Sequence, residues 1–154
     1  MPSLMRYINI ISRCGAVWRG DKLKGTDIGA LHTGYIMTVC RHPGISQDRL
    51  AKRLCISKSN VTRTLAALEV AGYVERHQSE SDKRVTEVYP TQKAEEALPQ
   101  VQEAVRSWNR YITEGFSDDE REMFASMLAR MAGRAADYAK LSIDAEDEGE
   151  GQQY

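Results

Sequence analysis

Residues 44–91 read GISQDRLAKRLCISKSNVTRTLAALEVAGYVERHQSESDKRVTEVYPT. Ile45, Leu50, Ala51 and Leu54 recur at helical spacing, and Ser46 reads as an N-cap just ahead of Gln47 and Asp48. After Cys55 and Ile56, Ser57 reads as a second N-cap. Val61, Leu65 and Leu68 then form one apolar stripe at i, i+4 and i+7. Lys58, Ser59, Asn60, Thr62 and Arg63 fall on the opposite face. Gly72 ends this helix, because glycine takes the left-handed position after a helix without strain. Residues 73–77 alternate as a strand, and residues 86–89 alternate as its return, with a polar tip over 78–85.

A short helix, a tight turn, a second helix with a polar and basic face, then a charged two-stranded hairpin: that order is a winged helix-turn-helix. In that fold the second helix enters the major groove of DNA. The run SKSNVTRTLAALEVAGYVER, followed by SDKR and by Pro90, Thr91, Gln92, Lys93 and Ala94, resembles the core of the MarR family of bacterial transcriptional regulators. The family's wing bears Asp-x-Arg, which Asp82, Lys83 and Arg84 match. Pro90 departs from the family's usual Leu, and Ala94 from its usual Gly. The order of elements matches over about residues 3–143, while the specific motifs lie within 45–94.

The reading extends outward from this segment. Leu4, Tyr7, Ile8, Ile11, Cys14 and Trp18 share one side of a first helix. A second helix is expected roughly over 33–41, stopped by His42, Pro43 and Gly44. Thr91 caps a long helix carrying Ala94, Leu98, Val101, Val105, Trp108 and Ile112, with Pro99 inside it as a site for a kink. Ser117 and Glu120 form a capping box for a last helix striped by Met123, Phe124, Met127, Leu128, Met131, Ala135 and Tyr138. The expected fold is therefore mainly α with a small β-wing. One domain spans 1–143, with a reading head at about 33–90 and dimerisation helices at about 3–20 and 91–142. Residues 144–154 hold five acids and no base, and are expected to be a disordered acidic tail.

Charge supports this division. The whole chain of 154 residues is at −1, but residues 41–93 hold ten Lys/Arg against six Asp/Glu, a net of +4. Ser59, Asn60, Thr62 and Arg63 are the expected readers of base edges, since Arg matches the paired acceptors of guanine and Asn pairs with adenine. Ser57 and Lys58 lie at the helix N-terminus, where phosphate contacts are favoured. Arg84 would place a cation in a narrow groove, oriented by a bidentate pair with Asp82, with Lys83 on phosphate.

The terminal helices expose stripes too wide for a monomer of this size, which points to a two-fold dimer on an inverted repeat. The resemblance implies the same dimer, and a small aromatic or amphipathic effector held between the reading head and the dimer helices. Trp18, His32, Tyr35 and Trp108 are the candidate lining. Peroxide-sensing members of the family carry a reactive cysteine in the first helix, which makes Cys14 a redox candidate beside Arg13, or else a small core residue. Cys40 and Cys55 read as core.

Three widely spaced cysteines make neither a disulfide framework nor a zinc pattern. His32, His42 and His77 are scattered, with no metal-ligand spacing, and no Gly-rich phosphate loop occurs. No enzyme, metal or cofactor is expected. The N-terminal residues lack a signal-peptide layout and no apolar run approaches ~20 residues, so the expected compartment is the cytoplasm. The function expected is a DNA-binding, ligand-responsive repressor. A redox-sensing regulator and a winged-helix protein adaptor are the alternatives.

Overall fold

Hydroxyl side chains decide where most helices begin. A computed structural model gives the fold and describes residues 3–139. Helix α1 spans Leu4–Lys22, and Ser3 Oγ accepts from Arg6 N at its start. After a 3₁₀ turn, Ala30–His32, helix α2 spans Thr33–Arg41. Strand β1 is Ile45–Ser46, and Ser46 then caps α3, Gln47–Arg53. Ser57 caps α4, Lys58–Val70. Strands β2, Val74–Gln78, and β3, Thr86–Pro90, form the wing. Thr91 caps α5, Gln92–Ile112. Helix α6 spans Asp118–Ala139, behind a capping box in which Ser117 N donates to Glu120 Oε2 and Glu120 N donates to Ser117 Oγ. Each such cap satisfies a backbone amide that the helix itself cannot, typically worth ~1 kcal/mol.

The hairpin expected from alternation is one part of a three-stranded antiparallel sheet in the order β1-β3-β2. Ile45 pairs with Val88 on one side of β3, and Arg76 pairs with Val88 on the other. Strand β1 has only two residues, too few to show a period of two.

The core sits where α2, α3, α4, the sheet and the first half of α5 meet. Ile36 and Val39 of α2, Leu50 of α3, Val61, Leu65 and Leu68 of α4, Val88 of β3 and Val101 of α5 are all fully buried. Burying a side chain of this kind contributes roughly 1.5–3 kcal/mol. The α4 stripe therefore dictates which face of that helix turns inward and leaves its polar face to solvent. Pro99 does not break α5, which runs on to Ile112.

Two cysteine expectations are corrected. Cys55 is exposed, not core, because it lies between α3 and α4 in the left-handed conformation at φ 52°, outside both helical stripes. Cys14 is exposed on α1. The acidic tail lies outside the described residues.

Helix α1 rests on α5 through Gly15. A Cβ there would stand 2.9 Å from Trp108 Nε1 and 3.1 Å from Cε2. Gly15→Val sets a gain in helix propensity of a few tenths of a kcal/mol against overpacking of about 1–3 kcal/mol. We expect a melting temperature lower by roughly 2–10 °C. An unchanged or raised value would show that α1 is not held against α5 at this point.

Candidate nucleic-acid interface

The outer face of α4 is built by the inner one. With Val61, Leu65 and Leu68 buried, helical geometry turns Lys58, Ser59, Asn60, Thr62 and Arg63 outward, and all five are exposed. They are linked to one another and to α3. Arg63 Nη2 donates to Asn60 Oδ1. Thr62 Oγ1 donates to Lys58 O at 3.0 Å and accepts from Gln47 Nε2 at 3.5 Å. Lys58 Nζ pairs with Asp48 Oδ2 at 2.7 Å. Exposed pairs of this kind contribute little stability, so these groups can exchange partners when another polar surface arrives. Ser57 lies apart in role, because its hydroxyl accepts from Asn60 N and sits 3.3 Å from Ser59 Oγ.

The wing presents Arg84 at its tip. Asp82 Oδ1 accepts from Arg84 N at 3.0 Å and from Arg84 Nε at 3.2 Å, and Oδ2 accepts from Nη2 at 3.4 Å. The backbone donation from Arg84, then its guanidinium, holds the Asp82 carboxyl below its ordinary pKa. The tip is closed by Val85 N donating to Asp82 O and Ser79 N to Val85 O, both at 2.9 Å. The Arg84 side chain is 91% exposed, oriented at its root and free of protein cover at its end. Lys83 beside it is also exposed.

A clamp unseen in the sequence joins helix to wing. Arg76 N donates to Glu69 Oε1 at 3.2 Å, and its Nε and Nη2 donate to Glu69 Oε2 at 3.1 and 2.6 Å. The side-chain hydrogen bonds from Arg76 lower the Glu69 pKa. A depressed carboxyl stabilises the fold above its ordinary pKa and stops doing so as pH falls through the lowered value, so the clamp is complete at neutral pH. The pair straddles the Gly72 turn, where no helical or strand periodicity connects its members.

Of the four candidate pocket residues, two come together. Trp18 lies 5.8 Å from Trp108 between ring centroids, and Tyr111 completes the group at 5.0 Å from Trp18. Trp18 Nε1 donates to Ser107 Oγ at 3.1 Å, and Lys22 Nζ stands 4.8 Å above the Trp18 ring. Tyr111 was missed, although its position three residues after Trp108 puts it on the same helix face. Tyr35 goes instead to the core. His32 ties down the 3₁₀ turn, its Nδ1 accepting from Gly29 N at 3.1 Å, and burial lowers its pKa. Burial, followed by the charge of Glu95, raises the Cys40 thiol to about 11, so it stays protonated at neutral pH.

Between the end of α5 and α6 lies an open groove of about 860 Å³, walled by Arg110, Tyr111, Arg121, Phe124 and Leu128. Among the described residues, no acidic, histidine or cysteine cluster fits a metal ion, and no helix is long and apolar enough to cross a membrane.

The model of the MarR family matches residues 34–86, the span from α2 to the start of β3. A crystal structure of MarR superposes with a TM-score of 0.79 at 29% identity, covering 90% of this chain and 94% of that one. Over residues 34–86 this chain matches the MarR family, and its whole fold is similar to that of MarR. With a reading head that matches this family and relatives that are HTH-type transcriptional regulators, it is a DNA-binding transcriptional regulator rather than an enzyme. It is similar to the uncharacterized HTH-type transcriptional regulator YybA of Bacillus subtilis, at 23% identity over 131 residues, 85% of this chain and 87% of that relative. It shares the fold of a putative MarR family regulator from Listeria monocytogenes solved in complex with a 26mer DNA, with a TM-score of 0.84 and 23% identity over 89% of this chain and 91% of that one.

Proposed function

We propose that this regulator binds an inverted-repeat operator as a two-fold dimer and represses until a small aromatic or amphipathic effector releases it. The observation that carries the reading is the exposed polar face of α4 held by the Glu69–Arg76 clamp beside a wing that ends in Arg84. Ser59, Asn60, Thr62 and Arg63 are the base-edge readers. Lys58 and Lys83 meet phosphate, and Ser57 contributes through the α4 N-terminus that it caps rather than through a free hydroxyl. Arg84 enters the flanking minor groove, with Asp82 setting its direction.

Apolar surface supports the second copy. Leu4, Met5, Tyr7, Ile8, Ile10 and Ile11 of α1 are exposed, and Met123, Phe124, Met127, Leu128 and Met131 of α6 are 39–61% exposed. A monomer rarely leaves so much apolar surface to water. A second copy of the chain covers both helices and sets two α4 helices ~34–36 Å apart. A dimer seated across two turns of duplex excludes other proteins from it, which is repression. The aromatic group of Trp18, Trp108 and Tyr111, on the helices that carry the dimer, supplies flat apolar faces for an effector. The regulator acts where its DNA is, in the cytoplasm.

The test is selection of bound duplexes from a random pool, followed by titration of the selected site and a scrambled one at several salt concentrations. Inverted half-sites about one helical turn apart and a steep loss of affinity with salt are expected. Affinity that ignores both sequence and salt would make this a protein adaptor instead.

A further inference from the structure

The C-terminal end of α4 carries carbonyls without helical partners and the negative pole of the helix. Residues at the start of α5 meet that end. Thr91 Oγ1 donates to Gly72 O at 2.6 Å, and Thr91 N donates to Tyr73 O at 3.1 Å. Lys93 Nζ donates to Ala71 O, the cap residue of α4, at 2.7 Å. The same ammonium lies 4.3 Å from the centroid of the buried Tyr73 ring and 3.3 Å from Asp27 Oδ2, in the connection between α1 and the 3₁₀ turn. One cation thus touches the end of α4, the entry to the wing, and the segment leaving α1.

We propose that Lys93 is a positioning residue for DNA recognition: it sets the tilt of α4 against α5 from the end opposite the base-reading residues, and ties that tilt to the α1 connection through Asp27. This rests on the reading that α4 lies in the major groove. The apolar stripe under α4 resists separation but is non-directional, so the helix can pivot on it. Directional bonds at one end resist the pivot. Helix α4 has 13 residues and is roughly 20 Å long, so a tilt of about 3° moves its far end by about 1 Å. Base-edge hydrogen bonds hold only over a few tenths of an ångström, while phosphate attraction tolerates that shift.

The experiment measures operator and scrambled-duplex affinity at three salt concentrations, with melting temperature, for the full chain and for Lys93→Met, Lys93→Arg and Asp27→Asn. Lys93→Met keeps the stem over Tyr73 and removes the ammonium. It should lower operator affinity about tenfold and scrambled affinity less than about twofold, the scale of one charge-assisted hydrogen bond. The salt slope should stay unchanged. Lys93→Arg should recover most of the discrimination, and Asp27→Asn should show a smaller loss of the same kind. Equal losses on both duplexes, an unaltered ratio, or a slope shallower by about one would overturn the proposal, the last by making Lys93 a phosphate contact. If Lys93→Met melts too low to assay, an unaltered ratio in Asp27→Asn, a change at an exposed side chain that leaves the α4 cap intact, would overturn it too. A wild-type chain that prefers no duplex would instead sink the α4 reading itself.

Discussion

Met127→Asp should convert a dimer into a monomer. The wild-type chain should sediment at twice its 17.3 kDa mass at micromolar concentration, and the variant at that mass. Met127 lies on α6 at 51% exposure, and Ala136 is the only residue of α6 among those described that is buried within the protomer. A charge at Met127 therefore has little protomer packing to disturb, and helical content by circular dichroism should hold. Its cost falls on a contact with a second copy, where an unpaired carboxylate in an apolar interface is strongly unfavourable. Losing one of two linked half-site contacts should weaken operator binding by about 100-fold or more. A wild type that sediments as a clean monomer removes both the dimer and the inverted repeat.

Removing Arg63 and removing Arg84 should give different defects. Arg63→Ala should cost ~1–3 kcal/mol on the operator and much less on scrambled DNA, because a base-edge contact carries sequence information. Arg63 also holds Asn60, so its loss frees that side chain, and the double variant Arg63→Ala, Asn60→Ala should lose less than the two singles together. Arg84→Ala should weaken both duplexes more nearly alike and flatten the salt slope by about one, as expected for a cation that reads groove potential. Asp82→Ala should resemble Arg84→Ala in milder form, since the guanidinium remains and only its orientation is lost. The measurement is the same titration at several salt concentrations. If neither arginine matters on either duplex, α4 and the wing are not the DNA-binding surface.

What could be read in advance was what local physics determines. Helix starts were legible at Ser46, Ser57, Thr91 and Ser117, because a cap is a short-range hydrogen bond between residues three apart. Helix α2 was legible from its breakers, and the inward face of α4 from its stripe. The Asp82–Arg84 pair was legible because its members lie two residues apart. Contacts closed by tertiary folding were not. Arg76 reaches Glu69 only after the chain reverses at Gly72, and Lys93 reaches Ala71 and Asp27 only after α5 docks. Cys55 looked apolar by its neighbours, and its exposure follows from a left-handed turn that composition does not reveal. His32 and Tyr35 parted from the two tryptophans because one secures a turn and the other fills the core, uses open to any aromatic residue.

The sheet order has a consequence for how the molecule is assembled in time. Strand β3 lies between β1, which precedes both helices of the reading motif, and β2, which follows them. Pairing Ile45 with Val88 closes a loop that contains α3, α4 and most of the wing. The entropy of that closure is met before its contacts reward it. The two reading helices can form early from their own caps, yet their mutual geometry becomes final only when the last strand seats. The wing is therefore a closing member of the reading head and not an attachment to it, and a nascent chain acquires a usable DNA-facing surface only after β3 has left the ribosome.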